Sequence, residues 1–259
     1  MNQQVAPAKV NIFLKVTGTR GVYHTIFSRF VRVKGLEDFL CFVPKQHSGF
    51  VIEGNFDCAV EQNTIYKAYK ALAEFTQNKE LEQFFKSYKV VVEKAIPAFA
   101  GLGGGSSDAA AFLDMCNREF SLGLGCDELI KVGSSVGADV AFFVAKYPSA
   151  NVSGIGEVVE FFDEPELELE VFTPKIAIST PKVYGCYRES FYAPLPKEEE
   201  AVLAKISSED ALKNLTPKMA NDLFAPALKL YPQLHEFAQD GWFFSGSGSS
   251  FFRLRGLNG

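Results

Sequence analysis

Pro97-Ala98-Phe99-Ala100-Gly101-Leu102-Gly103-Gly104-Gly105-Ser106-Ser107-Asp108-Ala109-Ala110 decides how this chain is read. Four glycines stand within five positions, two hydroxyls and an acid follow, and apolar residues then recur at helical spacing through Phe112, Leu113, Cys116 and Phe120. Glycine removes side chains where backbone N–H groups must come close to a partner. The first N–H groups of the helix that follows have no internal acceptor. Together these features make a cradle for an anion, and nucleotide phosphate is the anion such loops most often hold. Ser106 or Ser107 is expected to cap the helix, with Asp108 at its positive end. A turn that only joined a strand to a helix would need neither so many glycines nor both hydroxyls.

Three well-known phosphate loops do not fit. A Walker A loop requires Lys after its last glycine, where Ser106 stands. The dinucleotide fingerprint fails at its third glycine, again Ser106, and no acid closes a strand about twenty residues on. The protein-kinase set fails for want of an H-R-D catalytic loop.

Outward from the loop, Tyr88–Glu93 reads as a buried strand on its Val90-Val91-Val92 run. Val5–Val16, Phe27–Val33, Phe39–Val43 and Gly49–Glu53 read as strands, with a turn or loop over Gly18–Val22. Asn63–Gln77 has helical spacing in Ile65, Tyr69, Leu72 and Phe75. Cys126–Val136 reads as a helix capped by Asp127, and Ala141–Ala145 as a short apolar strand. Small and polar residues over Ser149–Gly156 suggest a boundary, giving domains 1–153 and 154–259. Beyond it lie strand candidates at Val158–Phe162, Leu169–Phe172 and Lys175–Ser179 and helices at Glu198–Ile206 and Leu223–Leu230. Trp242–Ser245 and Ser250–Leu254 flank a second turn, Ser245-Gly246-Ser247-Gly248-Ser249. Strands and helices mix without strict alternation, which predicts an α+β fold.

The 259 residues, 47% hydrophobic and rich in Phe with 25, suffice for a sizeable core. The net charge is −5 and no Lys/Arg cluster occurs, so nucleic acid is not an expected partner. Cys41, Cys58, Cys116, Cys126 and Cys186 are scattered without a C-x-x-C, which excludes a disulfide framework or zinc site and fits a reducing compartment. Neither a signal peptide nor a run of about 20 apolar residues is seen, so a cytoplasmic protein without membrane contact is expected.

Pro97–Ser107 closely resembles the second motif of the GHMP kinases, named for galactose, homoserine, mevalonate and phosphomevalonate. Ala6-Pro7-Ala8-Lys9-Val10-Asn11-Ile12-Phe13-Leu14, with Tyr23-His24-Thr25-Ile26, is similar to the opening of the branch that phosphorylates a cytidine diphosphate conjugate of methylerythritol. Gly137-Ala138-Asp139-Val140 resembles that branch's segment with the catalytic acid, Ser179-Thr180-Pro181 with Tyr184 its substrate turn, and Ser245–Ser249 the superfamily's third motif. The matches follow the family order over nearly the whole chain.

The resemblance implies a two-domain GHMP kinase fold. Its N-terminal domain is like ribosomal protein S5 domain 2 and its C-terminal domain is ferredoxin-like. It implies that ATP phosphorylates the 2-hydroxyl of the conjugate on the non-mevalonate route to isoprenoids. The ATP residues carried over are Pro97, Ala98, Phe99, Ala100, Gly101, Leu102, Gly103, Gly104, Gly105, Ser106, Ser107 and Asn63, with Mg²⁺ near Ser106 or Ser107. Asp139 is the expected base, because a positioned carboxylate can take the proton of a weakly nucleophilic hydroxyl. Lys9 is expected beside it, keeping the carboxylate ionised and stabilising negative charge. Tyr23 offers a face on which cytosine can stack, Tyr184 closes the other side, and His24 bonds the base edge. Asn11 and Thr180 are expected to bond the substrate's polar groups. A monomer or weak homodimer is the expected assembly.

Two features depart from the pattern. Phe99 and Ala100 stand where glycines are frequent, and Thr19–Val22 is a shorter run than usual before Tyr23. Other readings are another GHMP small-molecule kinase, such as homoserine or mevalonate kinase or a mevalonate-route decarboxylase, and a non-catalytic nucleotide sensor. A hydrolase with Gly133-Ser134-Ser135-Val136-Gly137 as its elbow would need a strand before the serine, where a helix is expected.

Overall fold

A computed structural model describes residues 3–46 and 49–256. In chain order the elements begin with strands β1 (Gln4–Arg20), β2 (Tyr23–Pro44) and β3 (Ile52–Glu53). Helices α1 (Thr64–Thr76) and α2 (Lys79–Ser87) lead to β4 (Tyr88–Glu93). Then come α3 (Gly104–Glu119), α4 (Cys126–Ser134), α5 (Val140–Ala145), β5 (Ser149–Gly154), β6 (Val158–Phe161) and β7 (Leu169–Phe172). The rest is α6 (Thr180–Ser190), α7 (Lys197–Leu203), α8 (Ser208–Asn214), α9 (Pro217–Ala220), α10 (Phe224–Leu230), β8 (Phe243–Phe244) and β9 (Phe251–Leu254).

The chain forms two compact units interleaved in sequence. One takes residues 1–8, 35–98 and 103–146, and the other 9–34, 99–102 and 147–259. This differs from the single 153/154 break expected from composition. The cause is the length of β1 and β2, which pair with each other and each run through both units.

In the first unit, β2 pairs antiparallel with β4 from Phe39↔Glu93 to Pro44↔Tyr88, and β3 lies parallel to β4. The glycine loop thus leaves a strand whose Val90 and Val92 are buried. Asn63 starts α1 by accepting a hydrogen bond from Ile65 N at 2.9 Å, and Ile65, Ala68 and Leu72 face inward at helical spacing. Phe42, Phe85 and Phe112 meet edge-on or tilted at 5.4–6.2 Å between centroids. Each such buried ring contributes about 1.5–3 kcal/mol.

In the second unit, β2 pairs with β5 from Ile26↔Gly154 to Val31↔Ser149, and β5 with β6. A separate sheet has the order β7-β9-β8. Leu14, Val16 and Ile26 share one core with Ile178, Val183, Leu223, Phe224, Phe244 and Phe251. Arg29 is fully buried here; its guanidinium donates to Asn151 Oδ1 at 2.7 Å and lies 3.2 Å from the Phe162 ring centroid.

The α+β class holds, but several local readings are corrected. Ala141–Ala145 lies in a helix, because Val140–Val144 is buried all round and a short, uniformly apolar run has no period to read. Lys175–Ser179 pairs with no strand among the described residues; its Ile178 packs into the core instead. Ser149–Gly154 is no linker but a paired strand, whose small residues suit close cover. Phe27–Val33 and Phe39–Val43 are parts of one strand, continued through Gly35 at φ +75°. Ser106 and Ser107 lie inside α3, whose first cap is Gly103 at φ +72°. Gly125, not Asp127, caps α4, and its N–H bonds Glu128 Oε2 at 2.9 Å. Helices α2, α6, α8 and α9 lie outside the elements that the sequence pattern marks. No helix among the described residues is long and apolar enough to cross a membrane.

Candidate active site

The glycine loop is fixed by its carbonyls. Ala100 O accepts from Ser250 N at 3.0 Å, Gly101 O from Lys9 Nζ and Ser245 Oγ at 3.0 Å each, and Leu102 O from Lys9 N at 2.9 Å. Three consecutive acceptors are thus engaged by the protein. Gly101 has no room for a side chain: at φ +74°, a Cβ would lie 2.1 Å from Ser245 O. Phe99 shares this left-handed backbone at φ +53°, which costs a residue with a Cβ about 1–2 kcal/mol.

Lys9 is buried at 3% exposure. Besides Gly101 O, its ammonium donates to Asn11 Oδ1 at 2.7 Å and lies 4.6 Å from the Phe30 ring centroid. Asn11 Nδ2 donates to Ser28 Oγ at 3.0 Å, which fixes the amide so that its oxygen faces Lys9. Asn11, expected to touch substrate, thus also orients the lysine. Sequence reasoning missed Ser28, since a lone serine within a strand carries no signal.

The third motif belongs to the same unit. Asn221 Nδ2 donates to Phe244 O at 2.8 Å and Gly246 O at 2.9 Å, so this side chain, also missed, shapes the Ser245–Ser249 turn. Thr180 Oγ1 lies 2.6 Å from Ser247 Oγ. Lys9, Asn11, Gly101, Thr180 and the third motif are thus brought together by short contacts.

Of the residues expected to meet the cytosine, two pack on each other. Tyr184 stacks on His24 with centroids 5.0 Å apart, and Tyr187 meets the same imidazole edge-on at 5.8 Å. Tyr23 is 62% exposed. His24 Nε2 is buried with no hydrogen-bond partner among the described residues. Burial, and secondly the Arg188 charge, holds the His24 pKa below its ordinary value, which favours a neutral ring.

In the other unit, Thr64 Oγ1 donates to Gly105 O at 2.6 Å, joining the start of α1 to the first turn of α3. A Cβ on Gly104 would lie 2.9 Å from Ile96 Cγ2. Asn63 is occupied as the α1 cap. Ser107 Oγ is buried without a partner among the described residues. A Cβ on Gly137 would lie 3.6 Å from Ser106 Oγ, so the Gly137–Asp139 turn adjoins the helix start. Asp139 stands at the N-cap of α5, yet its carboxylate makes no capping hydrogen bond among the described residues. Ser135 follows helix α4, so the elbow of a hydrolase is absent here.

Behind the loop lies a buried cluster that the sequence did not disclose. Lys94 donates to Asp108 Oδ2 at 2.7 Å and to Asp38 Oδ2, while Asp38 Oδ1 accepts from Ala95 N at 2.6 Å and Ile96 N at 2.8 Å. Burial pushes the Asp108 carboxyl up to about 7; Lys94 opposes the shift and Asp38 adds to it. Burial pulls against Lys94, but the two carboxylates hold its pKa above the ordinary value. Asp108 therefore serves this cluster, not the helix end alone.

Residues 63–147 match the family described as GHMP kinases N terminal domain. A 4-diphosphocytidyl-2-C-methyl-D-erythritol kinase of Sulfurimonas denitrificans is 58% identical over 254 residues, covering 96% of both chains. This chain belongs to that kinase family. A relative of the same name from Helicobacter acinonychis is 42% identical over 95% of the chain and 94% of the relative. The crystal structure of a 4-(cytidine 5'-diphospho)-2C-methyl-D-erythritol kinase, 32% identical, matches with a TM-score of 0.73 over 98% of this chain and 90% of that one. Methanococcus jannaschii mevalonate kinase, 15% identical, matches at 0.60 over 98% of this chain and 90% of that one, a likeness of fold alone. The kinase fold expected from the glycine loop is thereby established. Among the described residues no group of three or more His, Cys, Asp or Glu side chains could hold a metal ion.

Proposed function

We propose that this kinase transfers the γ-phosphoryl group of ATP to the 2-hydroxyl of 4-diphosphocytidyl-2-C-methyl-D-erythritol, on the non-mevalonate route to isopentenyl diphosphate. The observation that carries the reading is a glycine loop anchored through Lys9 and the third motif, in a chain 58% identical to a kinase of that name.

The triphosphate lies on the loop and on the first N–H groups of α3, where the helix favours negative charge. Asp139, at the N-cap position of α5, accepts the hydroxyl proton as the new P–O bond forms. Lys9, oriented by Asn11, supplies positive charge to the transition state. Neutral His24 presents its unpartnered Nε2 to the cytosine edge, beside Tyr184, while exposed Tyr23 offers a stacking face. Thr180 bonds the polar part of the conjugate. The hydroxyls of Ser106 and Ser107 are oxygen donors of the kind Mg²⁺ takes together with phosphates, and the buried, unpartnered Ser107 Oγ fits that role. Mg²⁺ held there would offset the charge on the transferred group.

A coupled ADP-release assay tests the assignment. Turnover is expected with the cytidine conjugate and not with homoserine or mevalonate. Turnover with either of these and none with the conjugate overturns it.

A further inference from the structure

The hairpin of β1 and β2 turns on only two residues, Gly21 and Val22, and its tip is open to solvent. Val22 is 76% exposed and Tyr23 62%. Gly21 stands at φ +62°, and a Cβ there would meet nothing within 4 Å. Exposed tips with few packing contacts are the mobile end of a fold. A stacking face on such a tip loses affinity, because it must be ordered when the ligand binds. Here distant parts of the chain tie the tip down. Arg20, the last residue of β1, pairs with Glu157. Arg188, in the last turn of α6, donates from Nη2 to Val22 O at 2.9 Å. That carbonyl belongs to the planar peptide joining Val22 to Tyr23, so the bond fixes the plane from which Tyr23 departs.

We propose that Arg188 is a positioning residue for the acceptor, holding the hairpin tip so that Tyr23 is presented to the cytosine in one orientation. It touches neither reacting group and acts through the Val22 carbonyl. The helix that carries it also supplies Tyr184, stacked on His24, and Tyr187, edge-on to the same ring. One helix thus sets both Tyr23 and His24. The titratable and charged groups around His24 among the described residues are these three of α6, Tyr23 beside it, and Arg20 across the hairpin, already paired with Glu157. Burial chiefly lowers the His24 pKa, and the Arg188 charge adds to it. The inference rests on the reading of Tyr23 and His24 as the residues that meet the cytosine.

Arg188→Met, which removes both donor and charge, and Arg188→Lys, which keeps both, are compared with the unaltered kinase. ADP release with the cytidine conjugate is measured from about pH 8 down to about 6. At about pH 8, Arg188→Met is expected to raise the KM for the conjugate at least about fivefold, with kcat and the KM for ATP within about twofold of normal. As pH falls, its KM should begin to rise at a higher pH than in the unaltered kinase, because His24 then protonates sooner. A single bond to a carbonyl needs no guanidinium fork, so Arg188→Lys should keep the KM within about threefold of normal and the onset unmoved. Arg188 is exposed, so both variants should keep the thermal transition of the unaltered kinase, which separates loss of positioning from loss of fold. An unchanged KM and onset in Arg188→Met overturn the inference and leave the cytidine reading intact. A raised KM that Arg188→Lys does not lower, with the onset unmoved, makes the guanidinium itself a ligand of the conjugate and also overturns it. Failure of the unaltered kinase to turn over the conjugate removes the cytidine reading and this inference with it.

Discussion

Lys9 is set by its neighbours rather than by its own flexible stem. Asn11 offers it an oxygen only because Ser28 holds the other end of the amide. Asn11→Ala therefore leaves a buried ammonium with one acceptor fewer, and an unmet charged hydrogen bond costs about 1.5–3 kcal/mol. The expected result is a fall in kcat with a normal KM for ATP; a normal kcat in a folded variant would show that Lys9 needs no such orientation. Asp139→Asn keeps the shape of the side chain and removes its basicity. It should bind the ATP analogue normally and lose about 10²–10⁴-fold in kcat, read by ADP release, and a rate near normal sinks the base assignment. His24 provides a pH test. Its pKa is lowered, so the ring stays neutral around and below its ordinary value of 6.5. The KM for the cytidine conjugate should stay flat from about pH 8 down to about 6.5 and rise only at lower pH. A rise already between about pH 8 and 7 contradicts a neutral, accepting imidazole.

At the scale of elements, the glycine loop hangs on close backbone approach and on the charges behind it. Asp108 is buried, and its carboxyl is pushed up to about 7, well above the unfolded value. Below the unfolded pKa both states are protonated and the group is neutral in effect. As pH rises from about 4 to about 7, the unfolded chain ionises first, so this group's contribution to stability falls, by about 1.4 kcal/mol per pKa unit of difference. Urea unfolding at several pH values should show that decline and its loss in Asp108→Asn; the same slope in both proteins assigns it elsewhere. Lys94→Met, which strands two carboxylates, should cost about 3–5 kcal/mol. The sequence announced the loop and its helix because glycines and helical spacing are local signals. It also announced β4 and β7, whose Val, Leu and aromatic residues suit a strand. It could not announce that Asp38 and Lys94 meet Asp108, since contacts between distant positions leave no periodic trace. Helix α5 and strand β5 differ from their sequence pattern for a related reason: their residue types reflect how completely neighbours cover them, and that is set by tertiary contacts. Lys9 and Thr180 draw notice through the motifs in which they stand, whereas Ser28 and Asn221, which hold Asn11 and the Ser245–Ser249 turn, are single polar residues in ordinary surroundings and carry no such signal.

For the whole molecule, the interleaving of the two units makes a definite statement about how the chain can be divided. Composition marks a boundary at 153/154, and a cut there would look natural. Yet Leu14, Val16 and Ile26, all in β1 and β2, are buried against Ile178, Val183, Leu223, Phe224, Phe244 and Phe251. Fragment 1–153 would expose those three side chains, at about 1.5–3 kcal/mol each. It would also lose β6, the partner of β5. The complementary fragment, 154–259, would lose the three side chains and β5, the partner of β6. A deficit of that size rivals the whole stability of an ordinary domain, about 5–15 kcal/mol. Neither fragment should therefore show a cooperative thermal transition by circular dichroism, while the intact chain should. Mixing the two fragments should restore a transition, because the missing core partners are then supplied in trans. A cooperative transition in fragment 1–153 alone would mean that the core shared by β1, β2 and the C-terminal helices is dispensable, and that the composition boundary is the true unit of folding.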